Sequence, residues 1–196
     1  MTSHTTTTAE LETPTPLEKA KDKRFQNWVK FGMVLYYVKS GLCLFVQKEL
    51  KCMHQNLTEK IYNVKEVSGK QPCTTCNVRC VRKDRTKCWY FSAPCTLLCD
   101  VWFRELLELN QSGNSANIDW TAIDIPKLPF EPWECAKVFM PRLTDISSTG
   151  PDKCDVQALL KLLANCKYFR RKLSDKGQRL AQIISDIRNM VMHHPE

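Results

Sequence analysis

The feature that most constrains this fold is a helical spacing of apolar residues. In "LSDKGQRLAQIISDIRNMVMHH", residues 173–194, apolar side chains return every three or four positions, which matches the 3.6-residue period of an α-helix. A strand-like alternation is not evident anywhere in the chain. The apolar stripe of this segment is expected to pack into a single helical core, and it consists of Leu180, Ile183, Ile184, Ile187 and Val191. The pattern predicts an all-α helical bundle.

The same spacing runs through the first third of the chain, from Leu17 to about Ile61. Gly32 and Gly41 mark places where this pattern is expected to break into two helices. The most hydrophobic window, residues 31–46, is too short to cross a bilayer comfortably and contains a lysine. We therefore expect a pair of core helices here.

Three further helices are predicted downstream. The first is "TLLCDVWFRELLEL", and the second is "FEPWECAKVFMPR", with Pro132 suited to a first turn and Pro141 as a stop. The third, "STGPDKCDVQALLKLLANCKYF", has Thr149 three residues ahead of Asp152, which resembles a capping box. Two tryptophans near the short helix, Trp120 and Trp133, are expected to fill the core rather than to stack on bases.

A length of 196 residues with 43% hydrophobic residues suits one globular domain. We expect a disordered Thr-rich tail at residues 1–16 and a helical domain at 17–194, with a cysteine-rich basic insertion at 70–99. The start of the sequence lacks the basic and apolar regions of a secretory signal. The expected location is the cytoplasm, with the nucleus open to a chain of this size.

The 11 cysteines are expected to be reduced. Six of them follow the spacing Cys73-x2-Cys76-x3-Cys80-x7-Cys88-x6-Cys95-x3-Cys99, which supplies the four soft ligands of a structural zinc site in excess. The preferred ligands are Cys80, Cys88, Cys95 and Cys99, with Cys73 and Cys76 as a rival pair. The alternative is that these residues are free thiols. The remaining apolar-face cysteines are expected to be buried small residues, namely Cys43, Cys135, Cys154 and Cys166.

The formal charge of +8 would attract a polyanion such as RNA or an acidic membrane surface. A basic cluster lies within the cysteine-rich insertion, where it would steer an RNA strand by a salt-dependent attraction. This cluster comprises Arg79, Arg82, Lys83, Arg85 and Lys87.

The segment "DIRNMVMHH" at residues 186–194 carries the remaining candidate chemistry, because no phosphate loop, nucleophile elbow or two-histidine zinc helix is present. Arginine and histidine can cleave RNA without a metal: the histidine exchanges a proton, and the guanidinium holds the phosphate. Arg188 and His193 would point about 140° apart around one helix, whereas Asn189 and His193 share a face. One helix alone therefore does not assemble the site. The alternative is an ordinary helix end, where cations favour the helix dipole.

Arg188-Asn189-x3-His193 resembles the R-polar-x3–5-H signature of HEPN domains. The blocks "CDVQALLKLLANC" and "DIRNMVMHH" resemble the HEPN-like domain of DAZ-interacting zinc-finger ubiquitin ligases. The likeness is closer to the uncharacterised vertebrate family named for chromosome X open reading frame thirty-eight, and it covers about residues 25–194. The matching blocks are "NWVK", "CDVWFREL", "DW", "WECAKVFMPR" and "CDVQALL", in this order.

The resemblance implies an HEPN-like bundle in which Arg188, Asn189 and His193 form a metal-independent endoribonuclease site at a dimer interface, leaving a cyclic phosphate. Several HEPN members bind RNA or assemble proteins without cleavage, so a non-catalytic adaptor is the alternative. A zinc-stapled nucleic-acid module is a third interpretation. The expected partners are RNA, a second copy of the chain and a protein, without a membrane. The expected cofactor is one structural zinc, and none is expected for catalysis.

Overall fold

A computed structural model describes residues 15–63, 78–83, 86–91, 97–114, 118–140 and 149–193. In the two strands, and at residues 19, 97, 121, 192 and 193, the description covers the backbone alone. The described chain is mostly helical, as the apolar spacing predicts. The helices are α1 (Pro16–Lys21), α2 (Lys23–Tyr62), α3 (Leu97–Leu109), α4 (Pro132–Lys137), α5 (Val156–Asn165), α6 (Lys167–Lys172) and α7 (Asp175–His193).

The expected break in the first third of the chain is wrong. Helix α2 is continuous over 40 residues and passes through Gly32 and Gly41. It begins where the carboxylate of Asp22 accepts hydrogen bonds from the backbone N–H groups of Arg24 and Phe25. A glycine inside a helix costs only about 1 kcal/mol relative to alanine, so long flanking helical segments can carry it.

The expected pair of core helices at residues 31–46 is wrong for most of this window, since only Leu42, Cys43, Phe45 and Val46 at its end lie in the core or pack against it. Only the second part of α2 lies in the core, where its fully buried side chains are Val46, Leu50, Met53, Leu57 and Ile61. The first part carries large apolar side chains that remain exposed, such as Trp28 at 56% and Tyr37 at 67%. The apolar pattern therefore predicted the helix but not what covers it.

The cysteine-rich segment contains two strands that the apolar pattern did not predict. Strand β1 (Val78–Lys83) pairs antiparallel with β2 (Thr86–Phe91) as a two-stranded hairpin. The register places Cys80 opposite Trp89, and Val81 opposite Cys88. The strand composition VRCVRK and TKCWYF is rich in β-branched and aromatic residues, which favour a pleated pair.

The core forms where α3, α4 and α5 pack around the second part of α2. Trp120 and Trp133 are buried within it, which confirms that they fill the core. Cys135, Cys154 and Cys166 are buried as expected, and Cys43 is half-buried. Burial raises the pKa of the Cys154 thiol to about 12 and that of the Cys166 thiol to about 11, so both stay protonated at neutral pH.

The last two long helices depart from expectation at their start and on one face. Helix α5 begins after Asp155 rather than at a capping box, and Thr149 lies in the preceding irregular segment. Helix α7 packs mainly against α5. Three residues of its predicted core stripe, Leu180, Ile183 and Ile187, are exposed by 40–51%. Met190 lies on the same side of the helix and is exposed by 62%. This face of α7 has no cover among the described residues.

Candidate functional site

Arg188 lies on the α7 face that meets the start of α5. One guanidinium nitrogen, Nη2, donates to Oδ2 of Asp155 at 2.9 Å, and Nη1 lies 3.4 Å from Oδ1 of Asn189. The Arg188 side chain is 20% exposed, whereas that of Asp155 is 50% exposed. The guanidinium is therefore held in a fixed direction at the rim of the domain and still reaches solvent.

Asp155 occupies the N-cap position of α5 with an extended backbone, but its carboxylate makes no capping hydrogen bond. An N-cap carboxylate ordinarily accepts from the backbone N–H groups of the first helical turn. Here the carboxylate binds Arg188 across the helix pair instead. Asp155 therefore does not cap α5 with its side chain but orients Arg188, the arginine of the predicted motif.

His193 is the last residue of α7, and the helical backbone fixes its position although its side chain lies outside the described residues. On an α-helix it lies about 140° around the axis from Arg188 and about 40° from Asn189. Because α7 is helical through residue 193, the separation expected from the sequence holds along the backbone. His194 lies outside the described residues.

A groove of about 710 Å³ runs between α5 and α7 and ends at Asn189. Three cations line it, namely Lys161, Arg170 and Arg179, against two acids, Asp175 and Asp186. Gln157 and Ser185 lie near the motif end, where the Gln157 amide donates to the Ser185 hydroxyl at 2.9 Å. The lining therefore carries one more cation than acids.

The groove residues were not predicted as a site from the sequence. Gln157 is 9% exposed, and its Oε1 atom has no hydrogen-bond partner among the described residues. Asp155 was not predicted either, because an aspartate just before a helix indicates an N-cap and not a contact with another helix. Only the folded chain brings these side chains, 30 or so positions apart, to the motif arginine.

The predicted basic cluster falls on the hairpin. Arg79, Arg82, Lys83 and Lys87 occupy strand positions, with Arg82 opposite Lys87 in the register, and Arg85 lies outside the described residues. The side chains of this cluster lie outside the description as well. Its contact with RNA stays a prediction.

The predicted zinc ligands are described only in part. Cys99 is buried at the start of α3, Cys80 and Cys88 are offset by one register position in the hairpin, and Cys73, Cys76 and Cys95 lie outside the described residues. Among the side chains that the structure describes, no group of three or more His, Cys, Asp or Glu residues could hold a metal ion. The zinc site stays a prediction.

Comparisons with known proteins place residues 19–196 in a family described as "Domain of unknown function (DUF4559)". A curated relative, "Uncharacterized protein CXorf38 homolog" from Mus musculus, is 32% identical over 180 residues, which cover 88% of this chain. These residues cover 49% of the mouse protein, so the chain spans about half the length of that relative. No solved structure matches. These findings confirm the resemblance to the family named for chromosome X open reading frame thirty-eight, whereas the HEPN-like assignment stays a prediction.

Proposed function

We propose for this chain, which belongs to the family described as Domain of unknown function (DUF4559), an HEPN-like role in RNA binding with metal-independent cleavage. One observation carries the proposal: the oriented guanidinium of Arg188 lies beside Asn189, which lines a groove that holds three cations and two acids. An excess of cations next to an exposed guanidinium suits a polyanionic strand. The HEPN-like assignment rests on the R-polar-x3–5-H resemblance.

The proposed reaction uses the 2′-hydroxyl of the RNA as the nucleophile. Its oxygen forms a bond to the adjacent phosphorus while the bond to the 5′-oxygen of the next nucleotide breaks. His193 exchanges the protons, since an imidazole titrates near neutral pH and can serve as base and acid. The products are a 2′,3′-cyclic phosphate and a 5′-hydroxyl. Arg188 stabilises the negative charge that builds up on the phosphoryl oxygens.

Asp155 acts in this proposal as a positioning residue. A guanidinium carries five N–H donors, and the contacts to Asp155 and Asn189 use only part of them. The remaining donors are available to phosphoryl oxygens. Because the Asp155 carboxylate is half exposed, its pairing with Arg188 is weak enough for a phosphate to share the same guanidinium.

A second copy of the chain is expected to complete the site, since Arg188 and His193 diverge on one helix. The uncovered face of α7, formed by Leu180, Ile183, Ile187 and Met190, supports this expectation. It runs along the same helix as the motif, and an apolar stripe exposed over three helical turns is typical of a helix–helix interface. A two-fold dimer through this face would place two copies of α7 side by side, with Arg188 about 120° around each helix from the contact.

A non-catalytic adaptor is the second candidate, and the Arg188–Asp155 ion pair favours it. In that case the arginine ties α7 to α5, and the uncovered α7 face docks a protein. The adaptor predicts that Ile183→Ser weakens self-association or partner binding. It also predicts that Arg188→Ala changes only stability.

The test measures RNA binding and cleavage in parallel. Arg188→Ala is expected to lower cleavage by about 10²-fold or more while binding weakens little. Arg188→Lys should restore the charge but not the rate, because an ammonium cannot make the planar two-pronged contact. Arg171→Ala, on the exposed side of α6 and outside the groove, is the matched control. Cleavage that is unchanged in Arg188→Ala would support the adaptor instead.

A further inference from the structure

The first part of α2, residues 23–44, is here called the free half. Its large exposed side chains are Phe25, Trp28, Val29, Met33, Val34, Tyr36, Tyr37 and Leu44. The 18-residue window of α2 with the apolar composition is only 6% buried. A contiguous apolar surface of this kind on a folded domain marks an interaction site.

The exposed stripe and the half-buried side chains of the free half lie on different sides of the helix. Phe31, Leu35 and Val38 are half-buried and form the less exposed side of this part of α2. Phe25, Val29, Met33 and Tyr36 lie roughly 140° around the helix from that side. These four side chains are exposed by 39–66% and are therefore accessible to a partner surface.

The charge of this region is of one sign. Residues 23–48 contain Lys23, Arg24, Lys30, Lys39 and Lys48 and no aspartate or glutamate. Lys23, Lys30 and Lys48 lie together along one edge of the exposed stripe, since their helical angles differ by only about 20°. Two copies of this face would bring like charges together, which disfavours self-association. An anionic surface is electrostatically complementary to it.

The free half is too interrupted to span a bilayer. Between Lys30 and Lys39 it offers eight uncharged residues, which rise about 12 Å along a helix, whereas the hydrocarbon core is about 30 Å thick. An apolar stripe edged by lysines, with Trp28, Tyr36 and Tyr37 among its exposed side chains, is instead typical of a helix that lies in the membrane interface.

We propose that the free half of α2 binds the surface of an anionic lipid bilayer. The apolar stripe inserts at the level of the headgroups, and the lysines along its edge contact lipid phosphates and carboxylates. The sequence predicts no membrane partner, since residues 31–46 are short for a bilayer span, contain Lys39 and are expected to lie in the core. In the structure, the core leaves five large side chains of this window exposed, namely Met33, Val34, Tyr36, Tyr37 and Leu44. The proposal does not depend on RNA cleavage.

The experiment is co-flotation of the full chain with vesicles of phosphatidylcholine alone or mixed with phosphatidylserine. We expect binding to the mixed vesicles, weaker binding to phosphatidylcholine alone, and loss of the difference at high salt. The triple variant Trp28→Ser, Val29→Ser, Met33→Ser should bind at least about tenfold more weakly. Replacing Lys23, Arg24 and Lys30 by alanine should abolish the preference for phosphatidylserine.

The matched control is Phe130→Ser, which removes a large side chain that is 68% exposed and lies outside α2 and α7, and this variant should float like the wild type. Absence of flotation with mixed vesicles would overturn the proposal. The proposal would also fail if the serine variant of the free half floats normally but no longer sediments as a dimer. That result would identify a second copy of the chain as the partner of this face. RNA binding that depends on Lys23 and Lys30, without flotation, would assign the face to nucleic acid.

Discussion

The two halves of α2 share one helix but differ in environment. From Val46 onward its apolar side chains are buried among α3, α4 and α5, whereas the free half exposes side chains of the same types. Met53 is 1% exposed and Met33 is 54% exposed, on the same helix. An apolar period therefore specifies a helix, but whether its apolar face is buried depends on which other helices pack against it.

The largest expected effect separates these two methionines. Met53→Ala should lower the free energy of unfolding by about 2–5 kcal/mol, because it leaves a cavity in the core. Met33→Ala should change it by less than about 0.5 kcal/mol, because an exposed side chain leaves no cavity. Urea unfolding followed by circular dichroism measures both. Equal losses would mean that the free half is covered in the folded chain.

A second test compares cysteines of the two halves. Residues 46–62 of α2 are here called the covered half. Cys52 lies in the covered half but faces solvent, whereas Cys43 in the free half is half-buried and its thiol donates to the Pro151 carbonyl at 3.2 Å. Burial raises the pKa of the Cys43 thiol, so less of the reactive thiolate forms. Cys52 should therefore be alkylated first, Cys43 several-fold more slowly, and Cys154 only on unfolding.

Mass spectrometry of the native protein after timed alkylation gives this order. Reaction of Cys43 before Cys52 would show that the turn at residues 150–154 does not dock on α2. In that case the boundary between the halves would lie nearer the core than Cys43.

The smallest expected effect lies at the first turn of the covered half. Glu49 pairs with Lys172 at 3.2 Å and accepts from the Tyr168 hydroxyl at 3.1 Å, which ties α6 to α2. Burial works to raise the pKa of Glu49, but the hydrogen bonds from Lys172 and Tyr168 outweigh it and leave this pKa lowered. The stability that follows is present above the unfolded pKa of about 4.3 and is lost as pH falls through the lower folded pKa.

Glu49→Gln should therefore cost less than about 1 kcal/mol at neutral pH, and the difference from the wild type should shrink in acid. Urea unfolding of both proteins between neutral pH and about pH 3 measures it. A difference that stays constant with pH would mean that the contact does not depend on the charge of Glu49.

The sequence predicted those parts of the fold that depend on local spacing. Helices α3, α5 and α7 occur where the apolar period indicates them, and the tryptophans near α4 are buried. The apolar period does not predict that α2 is uninterrupted, because Gly32 and Gly41 are typical of helix breaks, although each costs little within a long helix. Nor does it predict the hairpin, because a cysteine-rich basic segment is typical of a loop, although this one contains valine and aromatic residues that favour strands.

The candidate site likewise contains residues that the sequence identifies and residues that only the folded structure reveals. Arg188, Asn189 and His193 are consecutive features of one helix and could be identified from the motif alone. Asp155 and Gln157 could not, because only the packing of α5 on α7 brings them to the motif. The exposure of Ile183 and Ile187 was equally out of reach, since it depends on which partner covers α7.

The most direct test of the proposed chemistry is the analysis of RNA ends. A labelled single-stranded RNA is incubated with purified protein in EDTA, beside His193→Ala, and the products are identified by mass spectrometry while binding is followed in parallel. The proposal predicts 2′,3′-cyclic phosphate and 5′-hydroxyl ends from the wild type, and their loss in His193→Ala with binding retained. The same products from both proteins, or from neither, would contradict it and make the end of α7 a docking surface.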